Sequence, residues 1–190
     1  MRSFVLAALA LPVVLAMTGC APGSDQPLLP PADNPGYVLG PGDQIRVITY
    51  GEPQLTNSFT VGDNGTVAFP LVGTVHASGM TSNQVAAAIS SSLLSKNLLR
   101  DPSVSVEITQ YRPIFVLGEV AHPGQYPYQP GMTMLSAVAL AGGFTYRAIT
   151  GYAGDVRSQG TENGHAIEGK ITRATSLQPG DVVTIYERYF

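Results

Sequence analysis

The sequence predicts an α+β protein that consists of two small units, each with several short strands and one helix. Three observations predict this class. Apolar residues alternate at a two-residue period in several short runs, and two stretches place a helix cap before a run of apolar residues. A proline-glycine-aspartate turn leads into a β-rich run twice. With 190 residues, the chain is long enough for one ordinary domain or two small ones.

Residues 1–19 are predicted to be a signal peptide that takes no part in the fold. Arg2 supplies a positive start, and the uncharged apolar run that follows ends at Met17. That run is too short for a membrane-spanning helix, which needs about 20 apolar residues. It leads into Thr18, Gly19 and Cys20, the only cysteine of the chain. We predict that Cys20 is lipidated, and a single cysteine leaves no disulfide framework.

Residues 20–36 are predicted to form an extended linker, because 21–36 contain five prolines among small and polar residues. Without the leader, 9 of the 10 basic residues remain against 13 acidic ones, for a net charge of −4. A nucleic-acid partner would require clustered lysine and arginine, so none is predicted. Charged residues make up only 12% of the chain, so much of the surface must be neutral and polar, which is a hint of assembly.

The first unit, residues 37–112, opens with a tight turn at Gly40-Pro41-Gly42-Asp43, and a strand with Ile45, Val47 and Ile48 follows it. Further along, Asn64-Gly65 lies between two alternating apolar runs. This pattern predicts a β-hairpin that joins residues 59–61 to residues 67–69.

A helix and a strand complete the first unit. Thr81 and Gln84 have the spacing of a capping box, and the apolar residues after them recur at a helical period from Val85 to Leu93. Asp101-Pro102 ends the helix, because the residue before a proline disfavours helical geometry. Residues 104–108 alternate apolar and polar side chains, which predicts a half-buried strand.

The second unit, residues 113–190, begins with a predicted strand over Ile114–Val120 that runs through Gly118. Pro123-Gly124 is a turn, and the alternation of Tyr126 with Tyr128 predicts a returning strand. A helix over Met134–Ala141, capped by Thr133, is expected to end at Gly142-Gly143. A strand near 154–158 and a loop precede the second turn, Pro179-Gly180-Asp181, and a final strand. This arrangement fits a small β-grasp unit.

The predicted helix of the second unit is apolar nearly all round, and Ser136 is its only polar residue. Such a helix must be covered on more than one face. Packing between the two units of the chain is one explanation. The other, which we predict, is that part of the helix contacts a neighbouring protomer through Ala137 and Ala141.

No catalytic motif stands out in the sequence. It has no nucleophile elbow or phosphate-binding loop, and His76, His122 and His165 lie in unrelated contexts without metal-ligand spacing. Asp43 and Asp181 each follow Pro-Gly, and we expect their carboxylates to accept backbone N–H bonds within the turn. The sequence therefore predicts no catalytic residue, no metal site, no cofactor and no enzyme.

Two groups of motifs resemble one bacterial family. The order G-E-V-x-x-P-G-x-Y and then L-x-A-V-x-L-A-G-G is similar to the soluble-ligand-binding β-grasp (SLBB) domain of polysaccharide export proteins. Y-x-L-G-P-G-D, G-x-V-A-F-P-L-V-G, D-P-x-V-x-V and Y-R-P resemble the export domain of the polysaccharide biosynthesis/export family. The resemblance covers residues 37–190 in family order. It marks as family-motif residues Gly40, Pro41, Gly42, Asp43, Gly118, Pro123, Gly124, Gly142, Gly143, Pro179, Gly180 and Asp181.

The resemblance implies a lipoprotein of a conduit for capsular or extracellular polysaccharide, working as a homo-oligomeric ring without bond chemistry. The implied partners are the polysaccharide polymer and an inner-membrane copolymerase. Ala21 after the cysteine resembles a sorting signal for the outer membrane, where the protein would face the periplasm. Larger members add β-grasp repeats and a C-terminal amphipathic helix, so we expect a separate outer-membrane barrel to complete the path. The alternative is a monomeric glycan-binding or regulatory lipoprotein that uses its β-grasp domain.

Overall fold

A computed structural model describes residues 21–30, 36–158 and 166–189, so the predicted signal peptide and Cys20 lie outside the described residues. The α+β class is confirmed. In chain order the elements are β1 (Gln44–Thr49), β2 (Asn57–Thr60), β3 (Thr66–Phe69), β4 (Gly73–His76), α1 (Ser82–Ser95), β5 (Val104–Gln110), β6 (Ile114–Gly118), β7 (Gly124–Tyr126), α2 (Met134–Leu140), β8 (Tyr152–Arg157), β9 (Ile167–Thr172) and β10 (Val182–Ile185). No helix in the described ranges is long and apolar enough to cross a membrane.

The buried side chains form two separate hydrophobic clusters, one in each half of the chain. The first half contains a three-stranded antiparallel sheet in the order β2-β1-β5, and α1 packs on it. The helix begins with the predicted capping box, in which Thr81 and Gln84 satisfy each other's backbone N–H groups. Its buried face consists of Val85, Ile89 and Leu93, spaced four residues apart as the sequence predicts. We call this half the export domain.

The hairpin predicted around Asn64-Gly65 is wrong in its strand pairing. Gly65 does adopt a positive φ of +73°, and the chain turns there, but β2 pairs with β1 while β3 pairs with β4. The two flanking strands therefore belong to different sheets. Phe59 lies opposite Ile45 on β1, so contact with the sheet core, and not the local turn, sets the pairing of β2.

The second half contains a five-stranded sheet in the order β7-β6-β10-β8-β9. The second and third strands in this order, β6 and β10, run parallel, and the other neighbouring strands are antiparallel. The capped helix α2 packs on one face through Met134, Ala137 and Val138, in the same cluster as Ile114 and Val183. A sheet with one helix on it and a parallel central pair matches the predicted β-grasp arrangement, and we call this half the SLBB domain.

The prediction that Ala137 and Ala141 contact a neighbouring protomer is wrong. Both side chains have no exposed surface and belong to the core of their own domain. The apolar face that α2 leaves open carries instead the half-exposed side chains of Leu135 and Leu140, together with exposed Ala139. The helical periodicity indicates that two faces of α2 are apolar, but it does not indicate which face the sheet covers.

The described part of the predicted linker, residues 21–30, is not a free extended tether. It runs along β9, where Leu28 forms a parallel bridge with Lys170 and the backbone N–H of Leu29 donates to the Lys170 carbonyl at 2.9 Å. Earlier in the segment, the hydroxyl of Tyr152 donates to the Pro22 carbonyl at 2.9 Å. The segment thus packs against the SLBB domain before the chain enters the export domain.

Two adjacent leucines test whether this segment is part of the fold. Leu29 is buried in the SLBB core and Leu28 is 65% exposed, so we expect Leu29→Ala to lower the free energy of unfolding by roughly 2–5 kcal/mol. Leu28→Ala is the matched control, and it should change that free energy by less than about 0.5 kcal/mol. Urea unfolding followed by circular dichroism measures both, and equal effects of the two substitutions would contradict the packing described here.

Candidate functional site at the domain junction

The two proline-glycine-aspartate turns have the same backbone geometry, one in each domain. In residues 40–43 and 178–181 the N–H of the fourth residue donates to the carbonyl of the first at 3.1 Å. Proline occupies the second position, and Gly42 and Gly180 in the third have φ values of +91° and +90°. These are the features of a type II turn, in which the third residue must accept a positive φ.

The aspartate that ends each turn is buried and bonds back to the turn. The Asp43 carboxylate accepts the backbone N–H of Gly40 at 2.8 Å, and the Asp181 carboxylate accepts that of Gln178 at 2.7 Å. The local role that the sequence predicts for both aspartates agrees with these hydrogen bonds. A carboxylate hidden from water also needs a positive partner, because burying an unpaired charge is costly.

In the export domain that partner is Arg112, which follows β5. Its backbone N–H donates to Asp43 Oδ1 at 3.0 Å, and its Nε lies 3.4 Å from the same oxygen. The Tyr37 hydroxyl donates to Asp43 Oδ2 at 2.6 Å. Burial and the bond to this carboxylate raise the pKa of Tyr37 above its ordinary value, so the phenol stays protonated. Gly40 makes room for the arginine, because a Cβ there would lie 2.4 Å from the guanidinium.

In the SLBB domain the positive partner is Arg157 on β8. Its Nη2 lies 2.8 Å from Asp181 Oδ2 and 3.3 Å from Asp155 Oδ2, and all three side chains are buried. One arginine thus faces two carboxyl groups. Neither arginine was predicted from the sequence to take part in a site. The only signal for Arg112 was its place in the Y-R-P motif, and Arg157 had none.

Two carboxyl groups with one cation cannot both ionise easily in a buried place. Burial, followed by the nearby Asp181 carboxylate, raises the pKa of Asp155 to about 8, although the Arg157 guanidinium acts in the opposite direction. Asp155 Oδ1 is buried and accepts no hydrogen bond from the described residues. The two carboxyl groups therefore retain a proton well above the usual range of an aspartate, and the raised pKa of Asp155 indicates that this side chain holds it.

A row of tyrosines links the two domains. Tyr37 and Tyr111 meet edge to face with ring centroids 4.9 Å apart, and Tyr111 meets Tyr128 in the same way at 5.5 Å. Tyr37 and Tyr111 belong to the export domain, while Tyr128 packs against the SLBB core. Edge-to-face contacts are a favourable geometry for aromatic pairs. The row therefore fixes the junction, and its first ring is held by the buried Asp43.

A groove of about 410 Å³ lies at this junction, next to the tyrosine row. It runs between β5 and β7, each of which is an edge strand of its sheet. The groove is lined by Thr109, Gln110, Tyr111, Pro113, Gln125, Tyr126, Pro127, Tyr128 and Gln129. From the sequence, Tyr126 and Tyr128 only indicate a strand. The groove could not be predicted from the sequence, because it forms between two domains.

The remaining family-motif residues serve the backbone of the SLBB domain. Gly118 has a φ of +82°, and a Cβ there would lie 2.1 Å from the Ile185 carbonyl of the neighbouring strand. Pro123 precedes β7, which Gly124 begins opposite Val116 on β6. Gly142 and Gly143 follow α2 with φ values of +83° and +92°. None of these residues lines the junction groove.

The described residues include no group of three histidine, cysteine or acidic side chains placed to hold a metal ion. The buried charges are paired with each other, and the groove offers aromatic rings and amides. Such an arrangement is suited to binding and to structural support of a surface. Cys20 and His165 lie outside the described residues, so their predicted roles stay predictions.

Comparison with known families identifies the class of protein to which this two-domain fold belongs. Residues 31–109 match the model of the polysaccharide biosynthesis/export protein family, and residues 113–152 match the SLBB domain. The chain belongs to the polysaccharide biosynthesis/export family, with its export domain followed by an SLBB domain. Members of this family are transport components and not enzymes.

Several curated proteins are similar to parts of this chain. "Exopolysaccharide production protein ExoF" of Rhizobium meliloti (strain 1021) is 42% identical over 119 residues, which are 56% of this chain and 28% of that protein. "EPS I polysaccharide export outer membrane protein EpsA" of Ralstonia nicotianae is 29% identical over 133 residues, or 56% of this chain and 34% of the relative. "Polysialic acid transport protein KpsD" of Escherichia coli is 30% identical over 113 residues, or 58% and 20%. The chain thus matches about a third or less of each relative's length.

The buried acid pair predicts a pH-dependent stability. Because the folded pKa of Asp155 is raised to about 8, the native chain retains a proton that the unfolded chain loses near pH 4. The stabilising contribution is therefore fully present below about pH 4 and is lost as pH rises through about 8. The folding equilibrium constant should fall by up to about tenfold per pH unit in this window.

Asp155→Asn keeps the shape of the neutral side chain and cannot ionise, so it should abolish this dependence. We expect the variant to be about as stable as the wild type at about pH 4 and below, and increasingly more stable than it as pH rises to about 8, by urea unfolding. The matched control is Asp63→Asn at an exposed turn, which should follow the wild-type profile. Parallel profiles for wild type and Asp155→Asn would contradict the shared proton.

Proposed function

We propose that this chain is a lipoprotein component of a conduit that exports capsular or extracellular polysaccharide across the outer membrane. The observation that carries the proposal is the order of the two matched domains, an export domain and then an SLBB domain, in one chain. The names of three partially matching relatives, which concern polysaccharide production, export and transport, agree with it.

The proposed mechanism is physical. Copies of the chain surround a hydrated passage, and the polymer moves through it without any bond being made or broken. A sparsely charged protein offers mainly hydroxyl and amide groups to a sugar chain, and such weak polar contacts permit sliding. The partners would be the polymer, an inner-membrane polysaccharide copolymerase and a separate outer-membrane barrel protein.

The proposed anchor is a lipid on Cys20 in the outer membrane, with the folded body in the periplasm. Residues 21–30 support a short connection, because they pack on the SLBB domain directly after the anchor position. The Lys170 ammonium donates to the Ser24 carbonyl at 2.8 Å, and the Tyr186 hydroxyl donates to Gln26 Oε1 at 3.1 Å. The SLBB domain is therefore the domain that we expect to lie nearest the membrane.

Ring assembly is supported by two open apolar patches on opposite sides of the SLBB domain. The helix patch consists of Leu135, Ala139 and Leu140 on the outer face of α2. The sheet patch consists of Phe115 and Leu117 on β6, 38% and 43% exposed, on the sheet face away from α2. If the helix patch of one protomer packs on the sheet patch of the next, the contact is head-to-tail, and repeated head-to-tail contacts form a ring when the rotation between neighbours closes.

Two charged substitutions test this geometry. Leu117→Asp disrupts the sheet patch and Leu140→Asp disrupts the helix patch, so each variant alone should be monomeric by native mass in mild detergent. Mixed one to one, they retain one intact pair of patches and should form a dimer that cannot grow. Tyr50→Asp, at an 86% exposed position of the export domain, is the control and should keep the wild-type mass.

The results distinguish the possible contacts. A wild-type protein that forms a discrete oligomer supports the conduit, and a heterodimer of the two variants identifies the contact as head-to-tail. If the mixture stays monomeric while the wild type forms an oligomer, the patches are not the interface. In a strain that lacks the gene, secretion of polysaccharide should return with the wild-type chain and with Tyr50→Asp, but not with Leu117→Asp.

The second candidate function is a monomeric lipoprotein that binds or senses a glycan. The tyrosine-lined groove at the junction favours it, since a pocket of this size fits a small ligand. A wild-type monomer over a wide range of concentrations, with secretion unaffected by loss of the gene, would favour this function over the conduit.

A further inference from the structure

We propose that the groove between the export and SLBB domains is a contact site for uncharged sugar units of the exported polymer. The inference rests on the proposed function and deepens it by giving the class of ligand and its place. Nine residues line the groove. Three features of this lining matter: its tyrosine rings, its glutamine amides and its lack of charged side chains.

The rings supply a fixed apolar surface. Tyr111, Tyr126 and Tyr128 line the groove and are half-buried. The Tyr126 hydroxyl donates to the His122 carbonyl, so this ring cannot turn freely. One face of a pyranose ring consists largely of C–H groups, and an aromatic side chain offers that face a large apolar area.

The amides supply the polar part of the site. Gln110, Gln125 and Gln129 are exposed at the groove, from β5, β7 and the segment after β7 respectively. A glutamine amide has two N–H donors and a carbonyl acceptor, so it can bond neighbouring hydroxyls of a sugar in either sense. Because the three amides come from both domains, a ligand between them would contact the export domain and the SLBB domain together.

Charge decides the class of sugar. None of the nine lining residues is an acidic, basic or histidine residue, and the guanidinium of Arg112, which lies between two of them in the chain, is already paired with Asp43 and bonded to Tyr37. A carboxylated or phosphorylated sugar would lose hydration here without gaining a cation. The lining therefore favours neutral hexose units over acidic ones.

The rings of the site are also preorganised in the absence of a ligand. Tyr111 is held between Tyr37 and Tyr128 by edge contacts, and Tyr37 is bonded to the buried Asp43. A ligand would have to order only the exposed amides, so less of the binding free energy is lost to side-chain ordering. The groove volume of about 410 Å³ lies in the range of small-molecule sites, which is roughly 300–1,000 Å³.

The test is a titration of the full-length protein in a detergent without a sugar headgroup. The probes are cellohexaose, laminarihexaose and maltohexaose as neutral chains, and hexagalacturonate as an acidic chain. The chain has no tryptophan, so its fluorescence comes from tyrosines, three of which line the groove. We expect a saturable change with at least one neutral hexasaccharide, and at least fivefold weaker binding of hexagalacturonate.

The discriminating variant is Gln110→Ala/Gln125→Ala, which removes one exposed amide from each domain. We expect it to bind the neutral chain at least fivefold more weakly. The matched control, Gln54→Ala/Asn57→Ala, removes two exposed amides of the export domain outside the groove and should bind as the wild type does. Circular dichroism should be the same for all three proteins.

Three results would overturn the proposal: no binding of any neutral hexasaccharide, equal binding by the groove variant and the control, or tighter binding of hexagalacturonate. Failure of the export function itself is measured separately, as secretion in the complemented strain. A protein that binds the neutral chain in its groove and leaves secretion unchanged would support the site while overturning export.

Discussion

Each domain of this protein depends on a buried aspartate that is paired with an arginine far away in the chain. Asp43 is paired with Arg112 and Asp181 with Arg157, and in both cases the aspartate also closes a tight turn. Loss of one partner from a buried pair costs about 3–5 kcal/mol, because the other charge is left without compensation. The pairs therefore connect each turn to a residue that is distant in the sequence, 69 residues later in the export domain and 24 residues earlier in the SLBB domain.

The position of the first pair has consequences for the whole junction. Arg112 lies where the export domain ends and the SLBB domain begins, and it holds both Asp43 and Tyr37. The tyrosine row begins at Tyr37 and continues into the second domain. A buried ion pair therefore helps to hold the tyrosine rings of the groove in place. The conduit that we propose would need a rigid junction, since subunits that bend at a domain junction would not present a constant passage to a moving polymer.

Some surfaces of the SLBB domain are covered by other parts of the chain, and others stay exposed. Residues 21–30 pack against the part of the sheet that contains β8 and β9, while Phe115 and Leu117 on β6 stay open. On the other side, α2 buries Ala137 and leaves Leu135 and Leu140 open. The N-terminal segment at one place and the apolar patches on two opposite sides agree with the anchor and the self-assembly that we propose.

The sequence by itself determined the local structure and the family. Helix caps, glycine turns and two-residue alternation act over a few residues, so they could be read directly, and the same motifs identify the export and SLBB domains. Only the tertiary structure decided which strand β2 pairs with, which face of α2 is buried, and that the proline-rich segment lies against β9. It also decided that Arg112 and Arg157 reach the turn aspartates and that three tyrosines meet at one groove. These features depend on which apolar faces come together across long stretches of chain, and a local pattern contains no record of its distant partner.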